Sequence, residues 1–392
     1  MSDAIATMIA PPTSLYVHIP WCVKKCPYCD FNSHEQRGPS QEQAYIDALL
    51  ADLDADLEAY PWMRLRRIES VFFGGGTPSL FAPESIARIL DGARARLDFA
   101  VDAEITLETN PGTVEHGRFD GYARAGVNRI SFGVQSFNDA ALKRLGRIHD
   151  AAEAERAVAE AQDAGIGEIN IDLMYALPEQ QLDQALHDIE RALALAPTHL
   201  SHYQLTLEPN TVFAARPPRL PDEDLAWDMQ ERCQSMLAAA GFAQYEVSAY
   251  AAPQHRCRHN LNYWKFGDYL GIGAGAHGKI SDVQRNDIRR PWKLKHPRAY
   301  LAHAGSAARL GGDDPVTHAQ RPFEFMLNAL RLNDGVAAST FGMTTGLSLE
   351  EIAVPLAQAV ARGWLQPDTS RHIRPTALGS RFLNDLIELF LH

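Results

Sequence analysis

Cys22, Cys26 and Cys29 are the residues with the most chemistry to offer. They lie in Tyr16-Val17-His18-Ile19-Pro20-Trp21-Cys22-Val23-Lys24-Lys25-Cys26-Pro27-Tyr28-Cys29, a C-x3-C-x2-C run directly after a short apolar strand pattern. A closed iron–sulfur site takes four cysteine thiolates. Three thiolates on one short loop can therefore hold three irons of a 4Fe-4S cubane and leave the fourth iron open to an outside ligand. A structural zinc ion is the competing occupant, and it wants four ligands, typically from two paired C-x2–4-C segments. Here Cys233 and Cys257 stand alone, and His34 is the donor placed to complete a zinc site. A disulfide framework is weaker still. Five cysteines in 392 residues, an odd number with no secretory signal, suit a reducing cytosol, so a cytoplasmic protein is expected.

Further chemistry-bearing residues fall at the ends of apolar runs. Gly74-Gly75-Gly76-Thr77-Pro78 closes one, and glycine lets a backbone approach a ligand closely and adopt positive φ. Glu108, in Leu107-Glu108-Thr109-Asn110-Pro111, ends another. Gln135, in Gly133-Val134-Gln135-Ser136-Phe137, ends a third, and Asp172 interrupts Asn170-Ile171-Asp172-Leu173-Met174. A charge or amide buried without a partner costs on the order of several kcal/mol. Three at matching positions therefore either share polar ligands or tie neighbouring loops together by hydrogen bonds. Arg147, in Leu145-Gly146-Arg147-Ile148-His149, carries a bidentate fork that fits a carboxylate.

The elements that must position these residues alternate from residue 15 to 240. Strand-like runs cover 15–19, 71–73, 104–108, 129–135, 168–174 and 200–205. Between them, Ile46, Leu49, Leu50, Leu53 and Leu57 recur at helical spacing. Residues 83–97 form a second helical block with Pro83 in its first turn, 153–164 a third closed by Gly165, and 180–194 a fourth. Six strands alternating with helices predict an α/β fold with a parallel sheet and right-handed crossovers. Six units make a partial (β/α)6 barrel, whose site belongs at the C-terminal strand ends. The cysteines, the glycines, Glu108, Gln135, Asp172 and Thr206 all fall there. Beyond residue 240 the pattern changes. Tyr245-Glu246-Val247-Ser248-Ala249-Tyr250 reads as another strand, 267–278 is glycine-rich, and the C-terminal stretch is helical with a small hairpin near 364–373. The expected division is a tail at 1–14, the barrel at 15–240, an extension at 241–300 and a smaller helix-rich, winged-helix-like domain at 301–392.

A formal net charge of −12 argues against a nucleic-acid partner. The basic stretch from Arg285 to Arg298 reads as a solvated linker face. No apolar run is long enough to span a bilayer, so no integral membrane segment is expected, while peripheral membrane contact stays open. Residues 1–12 lack the charged start and apolar middle of a signal peptide.

Taken together, these motifs resemble the radical S-adenosylmethionine (SAM) proteins, and within them the oxygen-independent coproporphyrinogen III oxidase-like family, from residue 15 to the C-terminus. The resemblance implies a radical SAM partial barrel with a 4Fe-4S cluster on Cys22, Cys26 and Cys29, whose open iron chelates the amino and carboxylate groups of SAM. It carries Tyr16, Tyr28, Gly75, Gly76, Thr77, Glu108, Gln135, Arg147, Asp172 and Thr206 over as SAM-contacting positions. Two departures set this chain apart from the decarboxylating oxidases. Phe31 stands where they carry a further cysteine, and only a short stretch precedes Cys22 where they have a long shielding extension. Conversely, Arg258-His259-Asn260-Leu261-Asn262-Tyr263-Trp264 resembles the H-N-x-x-Y/W motif of the heme chaperone branch. That implies a protein that binds heme and delivers it to apoproteins such as respiratory enzymes. The enzyme alternative is a coproporphyrinogen oxidase working through a 5′-deoxyadenosyl radical. Under the resemblance His259 is the first candidate heme contact, because imidazole commonly holds heme iron. Tyr263 and Trp264 would pack on the porphyrin, and Cys257 and His277 are further candidate iron contacts. From the residues alone, His259 reads as a histidine satisfied by Asn260, with the aromatics in the core.

Cys22→Ala is expected to abolish the cluster and Cys233→Ala to retain it, measured as iron and acid-labile sulfide per chain after anaerobic reconstitution. One zinc per chain without sulfide would reverse the assignment.

Overall fold

The computed structural model describes residues 7–38, 41–112 and 117–391. Its centre is a nine-stranded sheet. The six expected strands are β1 (Thr13–Ile19), β2 (Arg67–Gly75), β3 (Asp98–Thr109), β4 (Arg129–Gln135), β5 (Glu168–Tyr175) and β6 (His199–Gln204), parallel neighbours in chain order. Helices α1 (Glu42–Ala59), α2 (Pro83–Arg94), α3 (Phe119–Ala125), α4 (Ala151–Asp163) and α5 (Leu182–Ala194) supply crossovers, and α6 (Glu223–Ala239) follows β6. Alternation along each strand explains the layering. Leu15, Val17 and Ile19 of β1 are fully buried in the large apolar core, whereas Tyr16 lines the hollow inside the sheet.

The sheet continues past the six strands at both ends. Short β7 (Ala243–Gln244) and β8 (Ala249–Ala251) lie antiparallel beyond β6. The continuous strand expected over 245–250 is thus divided. Tyr245 N bonds Ala249 O to close a hairpin, and both the backbone N and the hydroxyl of Ser248 donate to the Glu246 carboxylate at 3.1 Å. At the other end β9 (Asp268–Ile272) adds a seventh parallel strand against β1. The glycine content of 267–278 hid this strand, yet the glycines are what the packing demands. A Cβ on Gly271 would lie 1.9 Å from the His277 carbonyl oxygen. The order β9-β1-β2-β3-β4-β5-β6-β8-β7 leaves two separate edges, so the barrel is open.

The stretch expected as a solvated linker face is instead structural. It contains β11 (Asp287–Lys293), paired with β10 (Ile280–Asp282) and β12 (Leu310–Pro315) in a three-stranded sheet. Lys293 is 1 % exposed. Its ammonium lies 2.6 Å from each carboxylate oxygen of Asp56, and Arg309 bonds both Asp56 (2.6 Å) and Asp52 (2.8 Å). Two acids on the core face of α1 thus meet Lys293 of the extension and Arg309 beyond it. Lys293 of the run is thus withdrawn from solvent by a buried partner 237 residues away in the chain, whereas Arg285, Lys295 and Arg298 are exposed.

A second core gathers the C-terminal helices with Tyr245, Ala249, Phe266 and Ile288. Met8 packs into it and Ile9 N bonds Met343 O at 2.9 Å. A small antiparallel pair joins Val336–Ala337 to His372–Ile373. Among the described residues no helix is long and apolar enough to cross a membrane.

Removing one member of a buried ionic group strands its partner in low dielectric at a cost of about 3–5 kcal/mol. Lys293→Ala is therefore expected to lower stability by about that amount, read as a shifted urea midpoint. An unchanged midpoint would show that water reaches Asp56 and screens it.

Candidate functional site

Parallel strands bring their C-terminal ends to one side, and the cysteine loop starts three residues beyond β1. It is held in shape by its own backbone. Trp21–Cys22 pairs with His34–Glu35, and the Lys25 ammonium donates to the carbonyls of Phe31 (2.9 Å) and Ser33 (3.2 Å). Asn32 links the loop to the extension, its amide donating to Ala274 O at 2.8 Å and Lys295 O at 2.9 Å.

The glycine loop is built onto the same chain. Gly76 N bonds Ile19 O at 2.8 Å and Thr77 N bonds Trp21 O at 2.7 Å. A Cβ on Gly76 would sit 2.5 Å from Trp21 O, so only glycine allows this approach. Gly75 has φ +115°, and a Cβ there would meet the His18 ring at 2.5 Å. Burial pulls the His18 imidazole down to about 4, so the ring is neutral at physiological pH. Its Nε2 must carry the proton, because its partner at 2.9 Å is the Asn32 carbonyl, leaving Nδ1 to accept from the Tyr16 hydroxyl at 2.9 Å. His18 therefore fixes β1, the glycine loop and the end of the cysteine loop at once.

Cys22, Cys26, Cys29, Tyr28, Gly75, Gly76, Thr77, Glu108, Gln135, Arg147 and Asp172 line a single cavity of ≈ 130 Å³. All five cysteines are free thiols. Arg147 bonds the Gly133 carbonyl and Asn110, and its Nη1 lies 3.6 Å from Cys26 Sγ. Its Nε is buried without a partner, a donor still to be satisfied. Gln135 has φ +73° at an irregularity in the β4–β5 pairing and accepts from the Tyr203 hydroxyl at 2.9 Å. Such irregularities re-aim side chains beside sites. Gly75 N donates to Glu108 at 3.2 Å. Burial, followed by the charge of Asp172, pushes the Glu108 carboxyl up to about 8.

These donors fit a cluster with an open iron. Three soft thiols share the cavity, and the polar groups around them face the space an outside ligand of that iron would occupy. The zinc alternative fits poorly. His34 lines a different cavity, beside His296.

The remaining predicted residues lie elsewhere. Thr206 is exposed, donates to Glu208 at 2.7 Å and does not line this cavity. Tyr16 lines a deeper chamber of ≈ 530 Å³ inside the sheet, whose wall shares Phe31, Glu108, Ser131, Asp172 and Tyr203 with the cluster cavity. The chamber's opposite end is lined by Cys257, His259, Asn260 and Tyr263, from α7 (Arg258–Trp264) and the residue before it. His259 is 1 % exposed, with its ring held by Ser70 (3.0 Å) and Tyr263 (3.2 Å) and its backbone N by Glu104 (2.9 Å). Burial drives its pKa to about 3 and pushes the Cys257 thiol up to about 12. Trp264 packs under Arg331 at 4.4 Å. His277 is exposed and stacks on Trp292 at 6.3 Å. Sequence reasoning missed Tyr203, Asn110 and His18. Tyr203 stands near the end of β6, so the rule that selected Thr206 could have found it.

Residues 16–192 match the Radical SAM superfamily and residues 316–382 the HemN C-terminal domain. The heme chaperone HemW of Escherichia coli (strain K12) is 50% identical over 381 residues, covering 97% of this chain and 98% of the relative. That of Haemophilus influenzae is 50% identical over 382 residues, with the same shares. Among solved structures, the coproporphyrinogen III oxidase HemN from Escherichia coli matches with a TM-score of 0.81 at 24% identity, over 99% of this chain and 92% of that one. At that identity the likeness speaks for the fold.

A carboxyl whose folded pKa lies above its ordinary 4.5 binds a proton that the unfolded chain releases. Folding stability from Glu108 is then fully present below pH 4.5 and is lost as pH rises to about 8. In the cluster-free protein, the stability of the parent relative to Glu108→Gln should fall across that window, measured by denaturant unfolding at successive pH values. A constant difference would refute the shift.

Proposed function

The chain belongs to the family of heme chaperone HemW within the radical SAM superfamily, and from that premise we propose that it binds heme and hands it to recipient apoproteins. The observation that carries this reading is near-full-length identity of 50% to curated heme chaperones. Phe31 supports it locally. It is 65 % exposed at the rim of the cluster cavity, in the place where a further cysteine marks the oxidases.

Radical SAM membership implies a 4Fe-4S cluster and SAM. Cys22, Cys26 and Cys29 are proposed to hold the cluster, which when bound would supply one-electron reduction of the SAM sulfonium. The chain's own groups do the positioning. Glu108, on the wall beside the 74–78 loop, offers a carboxyl oxygen to an amino group, and Arg147 offers its unpaired Nε and guanidinium charge to a carboxylate. Gln135 and Tyr203 fix one another at the wall. Tyr28 packs against Phe213 and backs the third cysteine. Cytoplasmic placement and respiratory apoproteins as recipients are part of the proposal.

For heme, His259 and Cys257 would have to leave the contacts that close the inner chamber, whereas His277 is accessible as it stands. The test is titration of the reconstituted protein with hemin, followed by transfer to the apo form of a heme enzyme, scored by recovered enzyme activity. No binding and no transfer would defeat the proposal. In parallel, coproporphyrinogen III is expected to remain unconverted; formation of protoporphyrinogen would favour the oxidase.

A further inference from the structure

The histidine that the sequence motif offers to iron is sealed, but a different pair is open. Outside the cysteine loop, between its His34–Glu35 strand and the helix Pro297–His303, lies a cavity of ≈ 960 Å³. Sites for cofactor-sized ligands span about 300–1,000 Å³, so this one has room for a cofactor-sized ligand. One wall presents the part-exposed ring of Trp21, backed by the buried Phe81 at 6.0 Å and 23°. Another carries two imidazoles, His34 and His296, whose centroids are 5.7 Å apart at 65°.

His296 is exposed, and among the described residues its Nε2 has no protein partner. Its Nδ1 accepts from the backbone of Arg298 over a long 3.3 Å, so moving the ring proton to Nδ1 and freeing the Nε2 lone pair sacrifices one weak bond. The rim is cationic in a chain of net charge −12. Arg298 makes no ion pair among the described residues, and Arg37 makes only a surface contact of 3.5 Å with Glu35. The other lining charges are committed. Lys25 is spent on the carbonyls of Phe31 and Ser33, and Glu42 accepts from Ala82 N.

An aromatic face, an unengaged imidazole nitrogen and two guanidinium groups in the lining match a flat apolar macrocycle with a metal centre and two carboxylates. We propose that heme docks here, with His296 Nε2 on the iron, the macrocycle against Trp21, and its propionates on Arg298 and Arg37. This rests on the heme-chaperone reading and places the cargo against the outer face of the loop that carries the cluster cysteines.

The test uses the full chain reconstituted anaerobically, with hemin and hemin dimethyl ester as probes, read by Soret absorption, electron paramagnetic resonance of the ferric heme, and affinity. His296→Ala should shift the Soret band and weaken hemin at least tenfold. The double variant Arg37→Glu/Arg298→Glu should weaken hemin at least tenfold and leave the diester, which lacks the carboxylates, within twofold of the parent. Retained iron–sulfur absorbance in each variant shows that the fold is intact. Hemin binding by the parent with an unaltered Soret band and affinity in His296→Ala overturns the inference and leaves the chaperone reading standing. So does equal weakening of hemin and diester in the arginine variant. Failure of the parent to bind hemin defeats the chaperone reading itself.

Discussion

The buried meeting of Asp52 and Asp56 with Lys293 and Arg309 is the interaction on which the site's geometry rests. Asp52 also accepts from Gly273 N at 3.1 Å and from the Tyr300 hydroxyl at 2.8 Å. The cluster of charges thereby holds the turn after β9, and Tyr45 reinforces it by donating to His18 O and accepting from Ala274 N, each at 2.8 Å. Asn32 then reaches from the cysteine loop to the same turn. A buried ionic group of this kind adds little net stability over a packed apolar one. Its value here is registry, because four charges that must find one another fix how the segments carrying Lys293 and Arg309 seat against α1.

From that seating the cofactor side follows by close contacts. The backbone of 19–21 carries the glycine loop, His18 fills the space that side chains on that loop would take, and the cysteines begin where those bonds end. The site is assembled on adjoining backbone, which is why glycine at 75 and 76 is a steric requirement. The polar strand-end residues are then presented by the sheet's alternation, with irregular pairing at Gln135 supplying the one local departure.

Much of this was legible in the sequence. Apolar runs and helical spacing located the six inner strands and their helices, and the cysteine spacing pointed to the cavity that the three thiols line. What stayed hidden had physical causes. β9 was masked by glycines selected for close backbone approach. The 285–298 run looked solvated because the acids that bury its lysine lie on α1, far away in the chain. Thr206 shares the strand-end position of Gln135 but points to solvent, since position along a strand gives the end of the barrel and not the direction of the side chain.

By itself, then, the sequence determined the class of chemistry: three thiolates on one loop, a glycine loop and polar strand ends, because ligand identity and local spacing are properties of short segments. Tertiary structure alone decided which imidazoles are available. His259 sits in a promising motif yet has its ring nitrogens occupied inside the sheet, while His296, in no motif, lines an open cavity and engages only its Nδ1 among the described residues. Availability depends on which distant side chains reach a ring nitrogen first, and that is settled only when the chain has packed.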